Sequence, residues 1–446
     1  MGNFHRVARA PRRSLKAAAV AAAGLSVLFI CVYGGANWLT SQRSDVGTWY
    51  YAWERWIPFV PLMVIPYMSI DLFYIAAPFL CADQLELRTY CRRIALAICV
   101  AGALFLLVPL KLGVVRPPLT GWMGDAFGWF FAADLPYNLF PSLHIALRTI
   151  LADVYSRHTR GLWRGAVNVW FSLVGISTLL TYQHHLVDVA GGFVLALFCF
   201  YLIPPIPQPA GVMRNRRIGL YYLATTVIAS AGAIAFWPAG GFLLWLAVAC
   251  LIAAAGYFGC GAAIYRKQDG RLPLSTRLVL APLLIGQYLS LCHYRRQCRA
   301  WDEVAPGVWI GRKLSEVEAA GAVRGGVIAV LDLTAEFSEA EAFLATNYLN
   351  IAILDLTAPT AQQIQMGIAF IQANASRGVV YVHCKIGYSR SAAVVGSYLL
   401  DIGLTSSAED AIARLRAARG SIVIRPEATA AIAWFAHSVA ARPLSH

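Results

Sequence analysis

His383-Cys384-Lys385-Ile386-Gly387-Tyr388-Ser389-Arg390-Ser391 is the stretch on which the fold of the C-terminal part turns. It reads HCxxGxxRS, with five residues between the cysteine and the arginine. Upstream, Gly378-Val379-Val380-Tyr381-Val382 is apolar and β-branched, the pattern of a buried strand, and residues 392–400 read as an apolar helix. A short loop between strand and helix aims several backbone N–H groups at one oxyanion, and the helix N-terminus adds its positive end at the same point. A cysteine there is stabilised as thiolate and becomes a nucleophile near neutral pH. Arg390 suits a two-pronged grip on a phosphate dianion. Lys385 and Gly387 belong to the same phosphate cradle, Ser391 is placed to donate to the thiolate, and Lys385 and Tyr388 face the mouth of the loop, where they bear on substrate choice.

Such a nucleophile needs a general acid from another loop. Residues 327–333 and 351–356 read as strands, and Asp355-Leu356-Thr357-Ala358-Pro359-Thr360 leads into a helix over 361–374. Asp355, 29 residues before Cys384, is the candidate acid, against the alternative of a helix-capping role. Asp332, in a matching Leu-Asp-Leu-Thr, is the rival, and Glu339 and Glu341 read as solvated helix charges. The loop resembles the signature of the cysteine-dependent protein and dual-specificity phosphatases. Within them, YVHCKIGYSRSA and LDLTAPT look most like the phosphatidylglycerophosphate phosphatase branch, over residues 301–440. The resemblance implies a soluble α/β phosphatase domain at 301–446 that removes phosphomonoesters of lipid headgroups through a cysteinyl-phosphate.

The rest of the chain has a different composition. Overall 59% of residues are hydrophobic and only 13% charged, with a mean hydropathy of +0.59. A soluble protein cannot hide that much apolar surface, and the apolar runs concentrate in residues 15–294. Taking roughly 20 residues per crossing, about eight spans are expected: 15–39, 56–81, 94–112, 140–156, 165–183, 186–205, 218–237 and 241–264. Residues 278–294, with Pro282 and Gln287, fit interfacial placement as well as a ninth crossing. Positive charges set the orientation. Arg6, Arg9, Arg12, Arg13 and Lys16 put the N-terminus in the cytoplasm, and alternate loops carry Arg88, Arg92 and Arg93, then Arg157, Arg160 and Arg164, then Arg214, Arg216 and Arg217, then Arg266, Lys267 and Arg271. The net charge of +14 is then a topology signal, and no basic patch on a soluble face points to nucleic acid. Asp71 sits mid-span and is expected to face the bundle interior.

Three polar groups fall at span ends on one, non-cytoplasmic, face: Lys111 with Arg116-Pro117-Pro118, Phe140-Pro141-Ser142-Leu143-His144, and His184-His185-Leu186-Val187-Asp188. His184 and Asp188, four apart, share a helix face, so the carboxylate can orient the imidazole for attack on phosphorus. His144 is the natural acid for the leaving oxygen, while Lys111, Arg116, Ser142 and Arg148 are candidates to hold the phosphate. Lys111 and Arg116 also fit plain snorkelling anchors, and His185 a packing residue. These residues resemble the type 2 phosphatidic acid phosphatase superfamily (K-x6-RP, PSGH, SR-x5-H-x3-D). The chain departs from that pattern in the shorter Lys111–Arg116 spacing, in Leu143 for glycine and in Thr178 for arginine. PSLH and QHHxxD look more like the inositol phosphorylceramide synthase branch, whose members pass a phospho-headgroup to a lipid hydroxyl. The resemblance covers residues 55–205 and implies a six-helix phosphatase or phosphotransferase core.

Ten cysteines without a CxxC pair argue against a disulfide framework or a zinc site. The expected protein is therefore a polytopic all-α membrane bundle (1–300) followed by a soluble α/β cysteine phosphatase domain (301–446), bifunctional in lipid headgroup metabolism. It needs no cofactor, takes phospholipid or sphingolipid substrates from the bilayer, and calls for no nucleic acid and no obligate protein partner. It sits in the inner (cytoplasmic) membrane, with the cysteine domain cytoplasmic and the histidine site on the opposite face. The alternative is a membrane-anchored protein tyrosine or dual-specificity phosphatase in signalling with a degenerate membrane domain.

Overall fold

The computed structural model describes residues 12–122, 124–125, 127–128, 135–205, 213–236 and 239–440. Arg6 and Arg9, two of the N-terminal charges above, lie outside the described residues. The chain divides into two compact units, Met1–Ile206 and Pro207–His446. The division falls well before the boundary expected at residue 300, because a second set of apolar helices packs with the phosphatase-like domain.

The first unit is helical. α1 (Leu15–Phe29) continues through a π-turn into α2 (Gly35–Ser41), and α3 (Val64–Leu80), α4 (Gln84–Leu107), α5 (Leu143–His158), α6 (Gly161–Leu180) and α7 (Leu186–Leu202) follow. The starts are encoded locally: the side chains of Ser14, Asp83 and Ser142 accept from the N–H groups of Ala17, Glu86 and Ile145. Ile94, Ala97, Ile98 and Ala101 of α4 pack with Ala146, Ile150 and Val154 of α5 in one apolar core. α7 crosses α5 closely, since a Cβ at Gly192 would lie 2.5 Å from the Ser142 carbonyl oxygen.

The second unit carries α8 (Arg216–Ala235) and α9 (Phe242–Ala255), the latter extended by short helical turns to Tyr265, then α10 (Leu274–Val279) and α11 (Ala281–Tyr294). A five-stranded sheet follows: β1 (Trp301–Ala305), β2 (Val308–Gly311), β3 (Val327–Thr334), β4 (Asn347–Ile353) and β5 (Val379–His383), in the order β1-β2-β5-β3-β4. Only β1 and β2 pair antiparallel; β5 lies between parallel neighbours, with His383 opposite Gly311 on one side and Asp332 on the other. Being central, β5 is buried on both faces, which explains its unbroken apolar run. α12 (Glu316–Arg324), α13 (Glu341–Leu344), α14 (Ala361–Ala375), α15 (Ser389–Asp401), α16 (Ala408–Ala418) and α17 (Pro426–Ala440) complete the domain.

Among the described residues, five helical segments are long and apolar enough to cross a membrane: Leu15–Ser41, Pro61–Leu80, Gln84–Leu107, Arg216–Ala235 and Phe242–Tyr265. Eight were expected. α5 has 16 residues and α7 has 17, at 1.5 Å each about 24–26 Å, short of the roughly 30 Å hydrocarbon core. α6 has 20 residues but carries Arg164, Asn168, Ser172 and Ser177. α11 has 14 residues, about 21 Å. Asp71 is exposed on the protein surface, not turned into the bundle.

Candidate functional site

The loop after β5 is folded by contacts that turn its carbonyls outward. Lys385 O accepts from Lys313 N at 3.1 Å, Ile386 O from Arg419 Nη2 at 3.1 Å, and Tyr388 O from Ala392 N at 2.8 Å. With the carbonyls so engaged, the N–H groups of Tyr388 and Ser391 are left for the Cys384 sulfur. Gly387 makes the turn: its φ is +74°, and a Cβ there would sit 2.3 Å from Gly311 O, so no other residue fits. Arg419, 1% exposed, is locked by Asp302 at 2.5 Å.

Cys384 is 3% exposed. Burial pushes its thiol up, but the Arg390 charge, the Ser391 hydroxyl and the N–H groups of Ser391 and Tyr388 outweigh that and hold it below the ordinary thiol value. Ser391 Oγ is buried and bonds no other described group, so it is kept for the sulfur. Arg390 is buried, with Nη2 donating to Glu336 Oε1 at 2.6 Å, Nη1 to Glu336 Oε2 at 3.0 Å and Nη1 to Ile353 O at 2.8 Å. The guanidinium is thus aligned before any ligand arrives.

Asp355 follows β4 in a turn that contains a left-handed residue. Leu356 has φ +60°, a conformation costing about 1–2 kcal/mol for a residue with a Cβ. Two groups flanking the apolar α8–α9 hairpin pin the turn: Asn215 Nδ2 donates to Leu356 O at 2.8 Å, and Tyr257 Oη to Asp355 O at 2.9 Å. The Asp355 carboxylate meets Lys385 Nζ at 2.5 Å and Arg390 Nη2 at 3.3 Å. Burial raises its pKa, but these two cations more than offset this and hold it below the usual carboxylate value.

Cys384, Lys385, Ser389, Arg390, Asp355 and Arg425 line one pocket of about 300 Å³, open to solvent. The sequence-read residues of this domain therefore converge. Two expectations fail. Glu339 is not a solvated charge: it is buried, with Oε1 2.7 Å from Lys313 Nζ and Oε2 2.9 Å from His383 Nε2. Asp332, the rival acid, is fully buried against Lys267 Nζ at 2.5 Å and Tyr348 Oη at 2.7 Å. Asp332, Glu339 and His383 offer ligand atoms within 4.8 Å of one another. The two lysines already compensate their charge, as an ion-pair network behind β5. Lys267, read as a topology charge, is part of that network. Sequence reasoning missed Glu336, Arg419 and Arg425.

In the first unit, His184 Nδ1 lies 3.8 Å from Asp188 Oδ2, and His144 stacks on Tyr67 with ring centroids 4.2 Å apart. Buried atoms of these groups, His144 Nε2, His184 Nδ1 and Asp188 Oδ1, have no hydrogen-bond partner among the described residues. Arg116 donates to the Thr181 and Tyr182 carbonyls on the turn before His184. Lys111 is exposed. Arg148 Nε is spent on Phe171 O at 2.7 Å, and Ser142 caps α5. His185 is buried and hydrogen-bonded: its Nε2 accepts from Gly113 N at 3.1 Å, so Nδ1 is the protonated nitrogen and faces the buried, previously unsuspected Glu54 at 3.3 Å.

Residues 308–436 match the dual specificity phosphatase catalytic domain. The match covers the whole constellation around Cys384 and stops short of the helical segments. Over 85 residues the chain is 39% identical to the rat phosphatidylglycerophosphatase and protein-tyrosine phosphatase 1 and 38% identical to the human protein of that name. These stretches cover 19% of this chain and 44% and 42% of the relatives, so the chain spans less than half their length. A crystal structure of PTPMT1 is similar at 26% identity, covering 32% of this chain and 97% of that one, with a TM-score of 0.29. The chain thus carries a phosphatase domain of the dual-specificity type, joined to helices that can cross a membrane.

Proposed function

We propose that the chain is a membrane-bound lipid phosphomonoesterase whose reaction runs through Cys384. The observation that carries this reading is the single pocket holding a thiolate-prone cysteine, a pre-aligned arginine and a carboxylate, in a chain whose described residues include five helices suited to a bilayer. Cys384 Sγ attacks the phosphorus, Arg390 and the loop N–H groups take the charge of the equatorial oxygens, and the P–O bond to the headgroup breaks. Asp355 gives its proton to the leaving oxygen. It then accepts a proton from water, whose oxygen displaces the thiolate from phosphorus, with Ser391 donating to the departing sulfur. The relatives' name joins a phosphatidylglycerophosphatase with a protein-tyrosine phosphatase, and the apolar helices attached to this domain favour the lipid of the two.

The finer reading is bifunctional. His184, with Asp188 3.8 Å from its Nδ1, attacks a second phospho-lipid, with His144 as acid and Arg116 nearby to steady the phosphate; the unpartnered atoms of that trio support it. Water or a lipid hydroxyl is the acceptor. We place the cysteine pocket on the cytoplasmic side, where the thiol stays reduced. The test is lipid mass spectrometry on membranes of a host expressing wild type, Cys384→Ser and His184→Ala. Accumulation of a phosphorylated lipid in Cys384→Ser that does not form in His184→Ala is expected. An unchanged lipid profile in Cys384→Ser would sink the lipid role and direct attention to phosphoproteins.

A further inference from the structure

The cysteine pocket has a wall that does not come from the phosphatase domain. Ser290 and Tyr294 of α11 line it, and Gln287, on the same helix, accepts from Lys385 Nζ at 3.0 Å, on the lysine that also holds Asp355. At about 100° per residue, Gln287, Ser290 and Tyr294 share an arc of about 60°. Ile285, Tyr288 and Leu289, which are 59%, 57% and 62% exposed, occupy the far side. α11 is therefore amphipathic in a particular sense: its polar edge closes a catalytic pocket and its apolar edge is left bare. With 14 residues it is too short to cross a bilayer. A bare apolar edge on a short helix suits burial in the headgroup–acyl boundary. α11 also precedes residue 308, where the match to the phosphatase catalytic domain begins.

A phosphate dianion needs only the loop. The pocket, with a volume of about 300 Å³, reaches the lower end of the range for small-molecule sites, roughly 300–1,000 Å³, and its lining beyond the loop, Ser290 and Tyr294 included, is left for the rest of the substrate. We propose that α11 is a specificity wall: Gln287, Ser290 and Tyr294 contact the headgroup beyond the phosphate of a phosphomonoester lipid, whose acyl chains stay in the membrane beside Ile285 and Leu289. This rests on the lipid reading above. Gln287 is in addition a positioning residue, giving Lys385 an anchor when a bound phosphate draws it off Asp355.

The test uses the full chain in phosphatidylcholine nanodiscs. Phosphatidylglycerophosphate in the same bilayer is compared with soluble para-nitrophenyl phosphate, for wild type, Ser290→Trp, Tyr294→Ala and Tyr294→Phe. The expected result is that Ser290→Trp and Tyr294→Ala lower the ratio of lipid to aryl kcat/KM by about tenfold, and that Tyr294→Phe restores most of it. The rate of Cys384 alkylation reports whether each variant is folded. Lipid and aryl activities falling in parallel, or a ratio that none of the variants moves, would overturn the wall. A wild type that hydrolyses phosphotyrosine peptides but no lipid would instead overturn the lipid reading itself, and a wild type active on the lipid with an unmoved ratio would overturn the wall alone.

Discussion

Replacing Glu336 by glutamine strikes at the alignment of Arg390. The two side chains are 1% and 2% exposed and share two hydrogen bonds of 2.6 and 3.0 Å. Glutamine keeps one acceptor and turns an N–H2 group against the guanidinium, so one charge-assisted bond becomes an ordinary one and the other becomes a donor–donor clash. Leaving a buried charge without its partner costs about 3–5 kcal/mol. Asp355 Oδ1, already 3.3 Å from Arg390 Nη2, offers part of the missing charge, which puts the loss at the low end, about 3 kcal/mol. For a domain of this size that lowers the thermal midpoint by on the order of 10 °C. The guanidinium then leans toward Asp355 and off the phosphate axis, and a misplacement of about 1 Å is enough for a hundredfold fall in kcat. Tungstate should raise the midpoint of the variant more than that of wild type, because the oxyanion supplies the charge that was removed. Thermal exposure of the Cys384 thiol and steady-state kinetics measure all three. A Glu336→Gln protein with wild-type midpoint and kcat would refute the argument that this carboxylate, and not the loop alone, sets the arginine.

Further outcomes follow from the same site. The Cys384 thiol lies below its ordinary value partly through Ser391, so Ser391→Ala should move the pH midpoint of iodoacetate alkylation upward, toward the free-thiol value near 8.5. Asp355→Asn should cut kcat on alkyl phosphates by about 10²–10⁴-fold and on aryl phosphates with good leaving groups much less; equal losses would argue against an acid role. His383 is held above its ordinary value: burial lowers its pKa, and Glu339 and Asp332 outweigh burial. A raised folded value adds stability that is complete below about pH 6.5 and disappears as pH climbs through that folded value. Thermal stability should therefore decline on the alkaline side of pH 6.5, and His383→Asn should flatten that decline.

The chemistry of nine consecutive residues was readable because all of it is local. Cysteine, turn glycine, arginine and serine act within one loop, and the strand and helix flanking it declare themselves by unbroken apolarity. Asp355 was readable by spacing for the same reason: the turn between β4 and α14 has its own signature. Glu336 was not. It lies in Thr334-Ala335-Glu336-Phe337-Ser338-Glu339-Ala340-Glu341, which by composition is a solvated segment. Two of its three glutamates are buried because cations from distant positions neutralise them, Arg390 for Glu336 and Lys313 with His383 for Glu339. Charge in sequence signals exposure only when no partner arrives through the fold. Lys267 taught the same lesson from the other side: counted as a loop charge, it is inserted beside Asp332 and Thr334. The histidine trio in the first unit could be grouped from sequence, since the i, i+4 pair is local, whereas Glu54, far away in the chain, needed the fold.

The electrostatics of Asp355 tie these pieces into one mechanism. An acid must hold a proton when the leaving oxygen needs it, yet Lys385 and Arg390 favour the ionised form in the free site. That is the wrong state for the first step and the right one for keeping an empty pocket ordered. An arriving phosphate dianion competes for the same two cations. Each contact it takes from Asp355 removes the cause of the lowered pKa while leaving the burial that raises it. On the proposed reading, binding converts Asp355 from a counter-ion into an acid, and departure of the leaving group leaves it a carboxylate able to accept the proton of water. For the exchange to work the carboxylate must stay put while its partners turn away. Its backbone is accordingly not left to the phosphatase domain, but is fastened by Tyr257 and Asn215 to the helices before it. Tyr257→Phe should then shift the acidic limb of the kcat profile and leave Cys384 alkylation at the wild-type rate, whereas a purely packing role for Tyr257 would leave the pH profile where it was.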